Sequence, residues 1–102
     1  MEPGALHDLL RRVAPKAAGR RSAKVAEAVA RAWEKAAGPE LARQARVRSV
    51  RDGEATIATA SAPLCHELAS FRREALLRAV NAALAEAGAP EIKALHFRTG
   101  SP

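Results

Sequence analysis

The chain has 102 residues, the size of one small domain, so a second independent core does not fit. Although 48% of residues are hydrophobic, 26 are Ala, so Leu, Val and Ile must fill a modest core around three bulky anchors, Trp33, Phe71 and Phe97. The formal charge of +6 lies wholly in the first half, where residues 1–50 hold eleven Lys/Arg against five Asp/Glu and residues 51–102 hold six against six.

Such a balance, with 13 Arg to 4 Lys, suits a polyanionic partner held by bidentate phosphate contacts. A genome of high GC content would enrich Arg and Ala in the same way.

In chain order, Ala5–Val13 places Leu6, Leu9, Leu10 and Val13 at helical spacing and predicts a short amphipathic helix. Pro15 and Gly19 punctuate the segment after it. Arg11, Arg12, Lys16, Arg20, Arg21 and Lys24 follow one another with no acid among them, a run that repels itself and predicts a basic arm over residues 1–21.

Ser22 is the expected N-cap of a helix over Ala23–Ala37, whose Val25, Val29, Trp33 and Ala36 make one apolar face. Gly38-Pro39 ends it, and a short helical turn over Glu40–Arg43 is expected next. The period then changes from 3.6 to 2. Gln44–Arg51 reads as a strand with Ala45, Val47 and Ser49 on one face and Arg46 and Arg48 on the other. Asp52-Gly53 is a two-residue hairpin signal, and Glu54–Ala60 returns antiparallel.

Ser61 opens a long helix that tolerates Pro63 in its first turn. Its apolar face is expected to run through Leu64, Leu68, Phe71, Leu76, Val80 and Leu84 to a stop at Gly88. A strand over Ile92–Arg98 closes the domain, and residues 100–102 fray. The class is therefore α+β in the order α-α-β-β-α-β, a three-stranded sheet packed by helices, with residues 22–99 as the folded body.

Catalytic chemistry finds little support. His7, His66 and His96 fall in three different elements, and no Cys or His pair has zinc-ligand spacing. Cys65 leans to the apolar side of its helix and His66 to solvent, as neighbours on a helix do. No phosphate-binding glycine loop or metalloprotease motif occurs. A non-enzymatic protein without cofactor, metal or small-molecule substrate is expected. One cysteine excludes an internal disulfide, and the first residues show no apolar run of the kind a signal peptide needs, so neither a signal peptide nor a membrane span is expected and a soluble, cytoplasmic protein with no membrane partner is expected. The candidate nucleic-acid-binding residues are Arg11, Arg12, Lys16, Arg20, Arg21, Lys24, Arg43, Arg46 and Arg48. Leu6, Leu9 and Leu10 are the candidate partner contact. With all three aromatics assigned to the core, no ring is expected to be free to stack on bases.

Several segments together resemble a known family. Ala32-Trp33 leads into Gly38-Pro39-Glu40-Leu41-Ala42, and the Asp52-Gly53 hairpin is followed by Ser61–Leu68 (SAPLCHEL). Leu76–Leu84 (LLRAVNAAL) and the closing Ile92–Arg98 (IKALHFR) complete the pattern. In order and spacing these resemble the DciA family of bacterial replicative-helicase loaders or operators, over roughly residues 22–99. The resemblance implies a KH-like fold, the DnaB-type replicative helicase as partner, and binding to single-stranded or tailed DNA. No two glycines stand three apart, so the GXXG backbone clamp of nucleic-acid-binding KH domains is absent and DNA contact falls to Arg and Lys side chains. The alternatives are a KH-like protein that binds ribosomal RNA during ribosome maturation, and a pure protein–protein adaptor.

Overall fold

The computed structural model describes residues 23–100. The expected helix Ala5–Val13, the basic arm, the Ser22 cap and the last two residues lie outside them. Helix α1 covers residues 23–37 and buries Val29, Ala32 and Trp33. Gly38 separates it from α2 (Pro39–Gln44) in a backbone conformation, φ 88° and ψ 164°, that essentially only glycine adopts. With a residue of fixed φ, Pro39, immediately after it, α2 can restart at once in a new direction.

Strand β1 (Ala45–Arg51) and strand β2 (Glu54–Thr59) form the expected antiparallel hairpin. Asp52 and Gly53 both have positive φ, 51° and 78°, as the two central residues of a type I′ turn require. Strand β3 (Ala94–Thr99) pairs parallel to β2, giving the order β1-β2-β3. It starts two residues later than the sequence suggests. Ile92 is buried ahead of it and is fixed by Asn81, whose Nδ2 donates to the Ile92 carbonyl (3.0 Å) and whose Oδ1 accepts from the Ile92 N–H (2.8 Å). Asn81→Leu leaves both backbone groups without these partners. It is expected to cost about 1–3 kcal/mol in urea unfolding, part-burial letting water replace some of the loss. A cost below about 0.5 kcal/mol would show that this clamp is incidental.

The crossover between β2 and β3 departs from a single regular helix. Ser61 caps it as expected, accepting from the Leu64 N–H at 3.2 Å. Helix α3 (Ala62–Glu67) then passes through a π-helical turn (Leu68–Arg72) into α4 (Arg73–Glu86). At about 100° per residue, Leu76 on a straight α-helix would lie about 80° away from Leu68, and Val80 and Leu84 further still. A π turn absorbs one extra residue. It thereby returns Leu76, Val80 and Leu84 to the face of Leu68, and all four are buried. Phe71 is turned outward instead: it is 79% exposed and is not a core anchor as the spacing suggests. Ala75 is exposed for the same reason.

Among the described residues, all helical cover lies on one side of the sheet. Cross-strand partners share a face, so Ala45, Val47 and Val50 of β1 face the core with Thr59, Ile57 and Ala55 of β2. A β-bulge between Val47 and Ser49 takes Ser49 off that face and puts Val50 on it, which corrects the simple alternation expected for β1. Trp33 is 2% exposed; its Nε1–H donates to the Ala45 carbonyl at 2.7 Å, and its ring lies 6.2 Å from that of Phe97. Lys35 Nζ donates to Glu86 Oε2 at 2.5 Å, linking α1 to α4 and holding the Glu86 carboxyl below its ordinary range. Both groups are exposed, so this pair contributes little to stability.

Candidate nucleic-acid interface

The second face of the sheet carries polar groups in register. Arg46 of β1 and Arg98 of β3 flank Ala58 of β2 in one row. The next rows are Ser49, Thr56 and His96, then Arg51, Glu54 and Ala94. Two strand spacings set the Arg46 and Arg98 Cα atoms roughly 10 Å apart. Ala58 between them is only 1% exposed although it faces away from the helices.

Arg48 is the residue inserted at the bulge, so it stands outside the row of Arg46 rather than beside it on a regular strand. Both side chains are exposed. Glu54 is the one carboxylate in these rows, and it is engaged by His96 Nε2 at 2.5 Å. The face thus presents Arg46, Arg48, Arg51 and Arg98 with one carboxylate, Glu54, in its rows, and Glu34 on the cleft that Arg46 also lines. Planar guanidinium forks are matched to phosphate and carboxylate oxygens.

Arg46 also lines a cleft of about 550 Å³ between α1, α2 and β1, together with Arg43, Trp33, Pro39 and Val47. Arg43 is exposed and lies 3.6 Å from Glu40 one helical turn earlier. The structure therefore brings Arg43 and Arg46 together and places Arg48 on the same strand. Lys24 belongs elsewhere, in a cleft between α1 and the C-terminal part of α4 with Arg31, Lys35 and Glu86. Arg11, Arg12, Lys16, Arg20, Arg21 and the leucines Leu6, Leu9 and Leu10 lie outside the described residues. Arg51 and Arg98 were not among the sequence candidates. Arg51 ends its strand at the turn, and Arg98 becomes a neighbour of Arg46 only through the β1-β2-β3 order.

Cys65 is buried and His66 exposed, as expected. Among the described residues no cluster of His, Cys, Asp and Glu has the makings of a metal site. No helix among them is long and apolar enough to cross a membrane. In comparison with known proteins, the family model described as Dna[CI] antecedent, DciA, matches residues 5–97. No curated protein matches the chain.

Proposed function

The chain belongs to the DciA family, loaders and operators of the DnaB-type replicative helicase, and from that premise we propose that it binds single-stranded or tailed DNA through its arginines while it assists placement of the helicase. The observation that carries this reading is the row of Arg46 and Arg98 across the open sheet face, with Arg48, Arg51 and Arg43 around it. In the same reading residues 1–21 are a basic arm that adds Arg11, Arg12, Lys16, Arg20 and Arg21 to the DNA contact. Its Leu6, Leu9 and Leu10 meet the helicase, and residues 22–99 form the DNA-binding body. No reaction is catalysed; phosphate contacts supply the affinity and are largely indifferent to sequence.

Binding should therefore weaken steeply with salt. Each neutralised phosphate contributes about 0.7 to the slope of log K against log salt on single strands and about 0.9 on duplex. With roughly three to six contacts the expected slope is about −2 to −5. The test is a salt titration of the intact chain against an oligo(dT), a tailed duplex, a blunt duplex and a structured RNA. Tightest binding to the single-stranded and tailed forms supports the reading. A clear preference for the structured RNA favours a role on ribosomal RNA. Absence of binding to every nucleic acid, with capture of the helicase retained, leaves an adaptor.

A further inference from the structure

Phe71 is the one large hydrophobic side chain that is exposed among the described residues. A single exposed apolar residue is ordinary on a protein surface. Three features set this one apart. It is held on a π turn, a local geometry that recurs at functional sites. It is followed directly by Arg72 and Arg73, both exposed, and among the described residues no ion pair or hydrogen bond engages either guanidinium. The turn also packs against β3, the strand that carries Arg98.

We infer that Phe71 is a stacking platform for one unpaired base of a single strand, with the adjacent Arg72 on a phosphate beside that base. This rests on the reading of the chain as DNA-binding, and it adds a ground for preferring single strands. An exposed ring with a cation beside it is an arrangement by which proteins hold unpaired bases without reading sequence. Bases inside a duplex are already stacked and cannot reach it. Glu67 and Glu74 stand one helical turn to either side, both exposed, and they oppose a long phosphate track along the helix. The footprint is accordingly one nucleotide.

The experiment uses the full chain, a labelled oligo(dT) and a blunt duplex of equal length, with Phe71→Ala, Phe71→Leu and Phe71→Trp. Phe71→Ala is expected to weaken oligo(dT) binding about 5- to 150-fold. Its duplex affinity should stay within about twofold and its salt slope should be unchanged, since no phosphate contact is removed. Phe71→Leu should behave like Ala, because it keeps apolar bulk without a ring face. Phe71→Trp should bind as the wild type does, and its exposed indole should be quenched by oligo(dT) but not by duplex. The buried Trp33 should not respond. Oligo(dT) binding by Phe71→Ala within twofold of wild type, or full rescue by Leu, overturns the platform. Wild-type binding to oligo(dT) in the same series keeps the DNA reading intact in either case. Its absence overturns both. Loss of helicase capture by Phe71→Ala with oligo(dT) binding unchanged also overturns the platform and makes Phe71 a protein contact.

Discussion

Trp33→Ala is expected to lower the stability of the domain by about 3–5 kcal/mol in urea or thermal unfolding. The side chain joins α1 to the sheet in two ways. Its ring fills the space beside Phe97, and its N–H satisfies the Ala45 carbonyl at the start of β1. Truncation removes the packing and leaves a buried acceptor without that donor. Small domains have total stabilities of about 5–15 kcal/mol, and an alanine-rich core places this chain towards the lower end, so the variant should be close to unfolding at physiological temperature. Trp33→Phe separates the two contributions. It retains most of the ring volume and loses the hydrogen bond, with an expected cost of about 1–3 kcal/mol. A Trp33→Ala variant that unfolds within 1 kcal/mol of wild type would remove Trp33 from the core.

The second large effect is on binding. Reversal of the open-face row in Arg46→Glu/Arg98→Glu should weaken oligo(dT) binding about 25- to 600-fold near 0.1 M salt. Two lost phosphate contacts account for about 1.4 log units by counterion release, and repulsion from two new carboxylates extends the loss to at most about twice that. The salt slope should flatten by about 1.4 or more. Both side chains are exposed, so far-UV circular dichroism and the melting temperature should change little. Lys24→Glu is the internal comparison. It removes one charge from the cleft between α1 and α4 and should cost less than either single reversal in the row. Arg20→Glu/Arg21→Glu measures the arm. Should the arm variant lose more affinity than the row variant, the sheet face is a secondary contact.

Much of the frame is legible in the residues because its signals are local. Gly38-Pro39, Asp52-Gly53 and Ser61 mark a helix end, a turn and a cap, and each does so through its own backbone or side-chain chemistry. The register of the long helix is harder to read, because its faces are set by packing at a distance. The drift was present, since Leu68 to Leu84 accumulates about 160° on a regular helix, too wide for one buried face. An angular count on a regular helix requires a break between Leu68 and Leu76, the interval that holds Phe71. The bulge in β1 carries a weaker signal: Val47 and Val50 are three apart, out of step with a strand period of 2. Arg98 could not be linked to Arg46 from the sequence, because nothing local says that β3 joins the sheet beside β2 rather than beside β1.

The bulge at Arg48 has a bearing on solubility as well as on register. In the order β1-β2-β3, β1 is an edge strand, with a row of backbone donors and acceptors that β2 does not use. Such an edge is a template on which a second copy can add a strand and begin an aggregate. Here the inserted residue interrupts the regular spacing of those groups, and Arg46, Arg48 and Arg51 place like charges along the strand that two copies would have to bring together. Proteins commonly protect free strand edges with bulges and charged side chains of this kind. The arginines suited to phosphate therefore also keep the sheet from growing by edge-to-edge addition. Neutralising them would trade a loss of polyanion affinity for self-association at the β1 edge.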